Sequence, residues 1–212
     1  MGYYNCKDEL GIKNTYIPLM VEDQGDRPND MGFLRDGALI TCTAARSNKV
    51  EMPYFVNYCE MVPKILKATG GKHVHIGRLT PWALFRIRTR MKNYGIQPDC
   101  FIYIPWVPSV WVALHDYRVD LYIASFPYGG GLTLIEAMGS GVPVVLHKHI
   151  FSRVLSGVDL AYQGAFCWRF PEELLNYCSL VNSKDLVKAS RLGRVHYELF
   201  HSQGSVQEVN SG

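Results

Sequence analysis

Three consecutive glycines, Gly129, Gly130 and Gly131, lie between two apolar runs in the second half of the chain. Glycines remove every side chain from a turn, so backbone N–H groups can approach a ligand closely. Thr133 and Glu136 follow in the T-x-x-E spacing of a capping box, which predicts a helix whose free N–H groups face the turn. Helix starts bind anions, above all phosphate. The pattern predicts a phosphate-binding turn, although glycine turns also occur for packing alone.

A second candidate is Lys49, in the polar stretch 44–52 that follows the first convincing strand. Loops after the strands of a parallel sheet meet at one edge, and the glycine turn is such a loop. A lysine at this edge can neutralise a phosphate whose other oxygens contact the helix start. The alternative is an ordinary surface lysine.

Strand and helix patterns alternate about five times, which predicts an α/β fold with a Rossmann-like parallel sheet and helices on both faces. Strands are expected at 38–43, 73–76, 101–104, 121–124, 142–146 and 161–166. Helices are expected from Pro53 to the stop at Gly70, from Thr133 to Gly139, and at 82–94, 110–117, 152–157, 171–180 and 183–200.

Length and composition are typical of a globular protein with one large domain or two small ones. The 212 residues are 48% hydrophobic and 19% charged, and the net charge of +3 is too small to indicate a nucleic-acid partner. No apolar run is long enough for a transmembrane segment. We expect a linker or lead-in segment at 1–37, a Rossmann-like domain at 38–201 and a frayed tail at 202–212.

Cysteines and histidines suggest no metal site. The six cysteines are widely spaced without a C-x-x-C pair, which favours a reduced, cytoplasmic setting. The pairs His73/His75 and His147/His149 lack a third ligand at a telling spacing, so core or loop histidines are expected. Dinucleotide binding is disfavoured because the turn after the first strand lacks glycine, and a P-loop is excluded because no G-K-[ST] follows the glycines.

The stretch 126–145, FPYGGGLTLIEAMGSGVPVV, resembles the donor-binding signature of GT-B glycosyltransferases, in particular O-GlcNAc transferases and bacterial N-glycosyltransferases that modify adhesins. The resemblance extends to Lys49 before a proline-started helix, to the segment 105–121, and to the "SRV" helix at 151–155 with Gly164. It covers roughly residues 38–200, and it implies that the domain at 38–201 is a nucleotide-sugar-binding domain.

The resemblance implies a role for each matching residue. Lys49 would pair with the diphosphate of a nucleotide sugar, and Glu136 would accept hydrogen bonds from the ribose hydroxyls. Backbone N–H groups of the turn and helix start would bind the same phosphates, together with the Thr133 hydroxyl; these positions are Gly129, Gly130, Gly131, Leu132 and Thr133. The donor would be a nucleotide sugar, most simply a UDP-sugar, with no cofactor and no metal.

The chain also departs from the O-GlcNAc enzymes. Gly131 and Leu132 replace their histidine and threonine in the turn, and Ser109 and Val112 replace their lysine and histidine near the base. Other side chains must then contact the base or ribose, and the candidates are Val107, Trp111 and His115.

The resemblance covers only the C-terminal half of a GT-B enzyme. The half that would contact a protein or glycan acceptor is missing, and no catalytic residue can be assigned. We expect a glycosyltransferase fragment for hexosyl or N-acetylhexosaminyl transfer, inverting by analogy, which alone binds donor weakly and transfers little. The alternatives are a degenerate, non-catalytic GT-B interaction module and half of a sugar-nucleotide epimerase.

Overall fold

Six short strands form one parallel sheet in a computed structural model, which describes residues 19–35, 37–148 and 157–202. Their order across the sheet is β3-β2-β1-β4-β5-β6, and the order reverses between β1 and β4. The predicted Rossmann-like α/β fold is confirmed. The strands are β1 Ile40–Ala44, β2 Lys72–Ile76, β3 Phe101–Ile104, β4 Leu121–Ile123, β5 Val144–His147 and β6 Phe166–Trp168.

Seven α-helices within the described residues cover both faces of this sheet. They are α1 Ser47–Val50, α2 Tyr58–Thr69, α3 Pro81–Asn93, α4 Val110–Asp116, α5 Leu132–Gly139, α6 Pro171–Leu180 and α7 Ser183–Phe200. Helices α2, α3 and α6 pack on one face, and α4, α5 and α7 on the other. Most strand residues are buried on both sides of the sheet because both faces are covered.

Three differences from the sequence prediction involve more than two residues. Helix α2 begins at Tyr58 and not at Pro53, because the Asn57 side chain caps it by accepting the Cys59 N–H at 2.9 Å. Within the stretch predicted as a loop, 47–50 form the short helix α1. The last strand pairs with β5 from Phe166 onward and not over 161–166. Residues 161–165 follow a 3₁₀ turn and include Gly164, whose φ is positive.

The segment 19–35, predicted as part of a linker, packs against the domain. The Val21 N–H donates to the carbonyl oxygen of His201 at 3.1 Å. Arg27 forms a buried ion pair of 3.7 Å with Asp120, whose carboxylate also accepts the Ile40 N–H at the start of β1. These contacts attach the segment to the edge where the central strands begin.

Two predicted features lie outside the described residues: the helix at 152–157, apart from Gly157, and residues 203–212 of the tail. Among the helices that the structure describes, none combines the length and the apolar character needed to cross a membrane.

Candidate functional site

The glycine turn lies at the carboxyl ends of the central strands, next to the reversal of strand order. It connects β4 to α5, and the Ser125 hydroxyl stabilises it by donating to the carbonyl oxygen of Tyr128 at 2.6 Å. Ligands of open parallel sheets bind in this crevice. The glycine turn therefore lies where this fold binds ligands.

The start of α5 is not closed by a capping box, and this part of the prediction is wrong. The N-cap residue is Gly131, which provides no side-chain cap, and the helix begins at Leu132. Thr133 accepts a hydrogen bond from the Tyr122 hydroxyl at 2.9 Å, and Glu136 accepts the Val110 N–H at 3.2 Å. Both side chains are thus engaged by neighbouring elements. No side chain caps the first-turn amides of α5, which have no intrahelical acceptors.

Gly130 brings together groups from two loops. A Cβ atom built on Gly130 would lie 2.5 Å from Thr133 Oγ1 and 3.7 Å from the Lys49 ammonium nitrogen. The hydroxyl and the ammonium group therefore both border the space that a side chain would occupy at this position. Lys49 comes from α1 after β1, so the loop after the first strand reaches the glycine turn, as the sequence analysis expected.

The electrostatics of Lys49 suit a buried anion partner. Partial burial lowers its pKa, and the neighbouring charge of Arg46 lowers it further. A desolvated ammonium group beside a second cation gains more from an anion than a fully hydrated one does. The arrangement favours an anionic ligand.

A cleft of about 950 Å³ extends from this point across the ends of β1, β2 and β3. Three of its described lining residues, Arg46, Lys49 and Arg78, are cationic, and none of those residues is acidic. The Ser47 N–H donates to the carbonyl oxygen of Arg78 at 2.8 Å, which joins the two loops that bear the arginines. The other described lining residues are Ala44, Ala45, Ser47, Asn48, Ile76, Gly77, Pro105, Trp106, Val107, Val110 and Thr133. This volume lies within the usual range of small-molecule and cofactor sites.

Glu136 lies behind this cleft on α5. Its pKa is raised, mainly because burial disfavours the charged form, and the N–H groups of Trp111 and Val110 offset part of the increase. The Glu136 carboxylate thus lies at the start of α4, next to Val110 of the cleft wall.

The residues predicted near the base separate into two groups. Val107 lines the cleft. Trp111 is fully buried, its ring lies against Gly139, and its indole N–H donates to the carbonyl oxygen of Gly25 at 2.8 Å. His115 forms a hydrogen bond of 2.8 Å between Nε2 and the carbonyl oxygen of Ser140. Trp111 and His115 therefore lie outside the cleft lining.

Sequence reasoning missed Trp106, Arg46 and Arg78 as lining residues of the cleft. Trp106 directly follows the Pro105 that ends β3, and its side chain is 70% exposed. All three residues lie in loops already expected at the carboxyl edge of the sheet, so their position in the sequence was the available signal. Leu132, the first residue of α5, has a side chain that is 53% exposed.

The histidines predicted as core residues are buried. Burial lowers the pKa of His73 to about 3 and that of His75 to about 4, and both accept or donate hydrogen bonds with the Tyr58 hydroxyl. His147 is bonded to the Tyr54 hydroxyl and the carbonyl oxygen of Trp168. Within the described part of the chain no three His, Cys, Asp or Glu side chains are grouped as metal ligands. His149 and the predicted "SRV" helix at 151–155 lie outside the described residues.

Comparison with solved structures identifies the fold. The chain is similar to HepE of Anabaena in complex with UDP and glucose, with a TM-score of 0.61 and 14% identity over 87% of this chain and 53% of that one. It is similar to an O-GlcNAc transferase of Thermobaculum terrenum, with a TM-score of 0.56 and 17% identity over 88% of this chain and 38% of that one.

A third similar structure is the C-terminal domain of a group 1 glycosyl transferase, LpcC, from Francisella tularensis. Its TM-score is 0.57, with 16% identity over 85% of this chain and 94% of that domain. The chain spans about half the length of HepE and of a similar glycosyltransferase from Rickettsia africae. No protein-family model and no curated protein sequence matches the chain. The resemblance to GT-B glycosyltransferases is thus confirmed as a shared fold with one half of those proteins.

Proposed function

We propose that this chain is the nucleotide-sugar-binding half of a glycosyltransferase and that its donor is a UDP-sugar. The observation that supports this most strongly is the convergence of the Lys49 ammonium group and the Thr133 hydroxyl beside Gly130. Both groups adjoin the uncapped start of α5, so cation, hydroxyl and amide donors face one small volume. A diphosphate is the ligand that matches this combination.

The remaining parts of the donor have matching surroundings. The nucleoside would occupy the cleft that runs from Thr133 to Val107, with Trp106 on its exposed wall. Glu136, once rotated from the Val110 N–H, would accept hydrogen bonds from the ribose hydroxyls. UDP is the nucleotide we favour, and the UDP complex of the similar Anabaena protein supports that choice.

The proposed reaction transfers the sugar to an acceptor. The bond between the anomeric carbon and the diphosphate oxygen breaks, and its electron pair leaves with the nucleoside diphosphate. A nucleophilic atom of the acceptor forms the new bond to the anomeric carbon and loses its proton to a base. Lys49 and the α5 amides would stabilise the charge that develops on the leaving group, a task that in this proposal requires no metal ion.

The acceptor and the base are expected from a second domain. The chain spans about half of the similar Anabaena protein. The resemblance to GT-B enzymes implies a site that closes between two domains. We therefore assign donor binding to this chain. Transfer of a hexosyl or N-acetylhexosaminyl group to a protein or glycan is the proposed activity of the whole enzyme.

Calorimetric titration with UDP tests the proposal. The unmodified chain should bind UDP, and Lys49→Ala and Glu136→Ala should each bind it at least about tenfold more weakly, because each loses a charge-assisted hydrogen bond. Lys72→Ala is the matched control, since Lys72 is an exposed lysine at the opposite end of the sheet. The proposal fails if the unmodified chain does not bind UDP at millimolar concentration, or if Lys49→Ala binds it as tightly as Lys72→Ala does.

A further inference from the structure

A buried tyrosine lies directly beneath the glycine turn. Tyr122 is on the central strand β4, and none of its side-chain surface is exposed. Its hydroxyl donates a hydrogen bond of 2.9 Å to Thr133 Oγ1 and makes a longer contact of 3.4 Å with the carbonyl oxygen of Ala44. Tyr122 thus connects the end of β1 with the first turn of α5.

This hydrogen bond determines what the Thr133 hydroxyl can offer. A threonine hydroxyl has one proton to donate and two lone pairs that accept. Because Tyr122 donates to one lone pair, the threonine proton remains available to donate to another group. Burial raises the pKa of Tyr122, so the phenol keeps the proton that it donates.

The direction in which Thr133 faces is also restricted. A Cβ atom built on Gly130 would lie 2.5 Å from Thr133 Oγ1 and 3.7 Å from the Lys49 ammonium nitrogen. Tyr122 therefore contacts the Thr133 hydroxyl from the core of the domain. The Lys49 ammonium group borders the space beside Gly130 that a side chain would fill. An anion that contacts Lys49 at this point lies within reach of the threonine proton.

We propose that Tyr122 is a positioning residue for anion binding: it keeps the Thr133 hydroxyl in place as a hydrogen-bond donor to the phosphate that Lys49 neutralises. The inference rests on the proposed function, because it requires a phosphate ligand at the turn. Tyr122 acts through Thr133 and does not touch the ligand itself. Hydrogen bonds in series polarise one another, so the phenol also strengthens the threonine as a donor.

Tyr197 provides a matched comparison for this role. It is also a fully buried tyrosine, and its hydroxyl donates to a backbone carbonyl oxygen, that of Val21, at 2.7 Å. That hydrogen bond lies on α7, away from the glycine turn. Tyr122→Phe and Tyr197→Phe each remove one buried phenol hydroxyl and keep the ring, so a general effect on packing would appear in both variants.

The test is a double-mutant cycle on UDP binding, measured by calorimetry with the chain as it stands. Tyr122→Phe should weaken UDP binding about three- to tenfold, because one hydrogen bond to a charged group is weakened. Tyr197→Phe should leave UDP affinity unchanged. In the Thr133→Ala background, Tyr122→Phe should have no further effect, since the group that it positions is gone. Thermal melting without nucleotide confirms that both phenylalanine variants are folded.

Two results would overturn the role of Tyr122 and leave the proposed function intact. In the first, Tyr122→Phe binds UDP as tightly as Tyr197→Phe does. In the second, the losses of binding free energy from Tyr122→Phe and Thr133→Ala add in full in the double variant. Failure of the unmodified chain to bind UDP would overturn the proposed function and this inference together.

Discussion

The ammonium nitrogen of Lys49 lies 3.7 Å from the point where a Cβ atom on Gly130 would be placed. Lys49 belongs to the loop after β1, and Gly130 to the loop after β4, and these two strands are neighbours where the strand order reverses. The contact therefore joins the two loops between which ligands of this fold bind. It gives the glycine turn a cation as well as free amides.

Gly130 should not tolerate a side chain. In Gly130→Ala the new methyl group would meet Thr133 Oγ1 at 2.5 Å, so the hydroxyl must turn away and the space beside Lys49 is filled. We expect UDP affinity to fall at least about tenfold, as for a lost hydrogen bond to a charged group, with little change in fold.

Gly131→Ala is the control for this substitution. Gly131 has right-handed helical angles, and the nearest atom to its Cβ position is in the Leu19 side chain at 3.4 Å. This variant should keep most of its affinity, which calorimetry would establish. Equal losses in the two variants would contradict the geometry described for Gly130.

Salt should weaken binding less when Lys49 is removed. The attraction between Lys49 and the diphosphate is screened by added ions. In a series from low to high salt, the slope of UDP affinity against salt should be shallower for Lys49→Ala than for Lys72→Ala. Parallel slopes would mean that Lys49 does not contact the anion.

Glu136 should make UDP binding depend on pH. Its pKa lies above the ordinary 4.5 because of burial, and the ionised form is the stronger acceptor of hydrogen bonds from the ribose hydroxyls. Its contribution is therefore present above the raised pKa and is lost as the pH falls through it. The affinity ratio of the unmodified chain to Glu136→Gln should decrease as pH is lowered from 7.5 to 4.5. Taking this ratio cancels the titration of UDP itself. A constant ratio would remove Glu136 from the ribose contact.

Asp120 should be important for stability and not for ligand binding. Its side chain is 4% exposed, pairs with Arg27 and accepts the N–H groups of Leu34 and Ile40. Asp120→Ala leaves a buried guanidinium group without its carboxylate, which should cost about 3–5 kcal/mol in the free energy of unfolding.

Urea denaturation measures this cost, and Glu198→Ala is its control. Glu198 forms an exposed pair with Arg194, which keeps Asp23 as a second partner, so the loss should be about 1 kcal/mol or less. A similar loss in both variants would show that the Arg27–Asp120 pair does not anchor the segment 19–35.

Much of the fold could be predicted because its signals are local. The short apolar runs and the glycine stops at Gly70 and Gly139 define the alternation of strands and helices, and alternation implies a parallel sheet. The order of strands and loops also predicts that Lys49 and the glycine turn lie at the carboxyl edge of the sheet. Both follow from chain order alone and need no knowledge of which side chains meet.

The rest depends on tertiary partners. The spacing of Thr133 and Glu136 fits a capping box. In the structure, however, Thr133 accepts a hydrogen bond from the Tyr122 hydroxyl and Glu136 accepts one from the Val110 N–H. A sequence pattern cannot reveal such tertiary partners. The burial of Trp111, in contrast, had a signal in the sequence. Trp111 and Leu114 are about one helical turn apart and both are buried, so the apolar periodicity of α4 indicates that the Trp111 ring faces the core.

A crystal structure of the chain with UDP tests the central claim most directly. We predict that the diphosphate lies over Gly130, with its oxygens in hydrogen-bonding distance of the amides at the start of α5, the Thr133 hydroxyl and the Lys49 ammonium group, and with the uridine in the cleft beside Val107. A diphosphate bound elsewhere on the chain, or a glycine turn that stays empty at saturating UDP, would contradict the account.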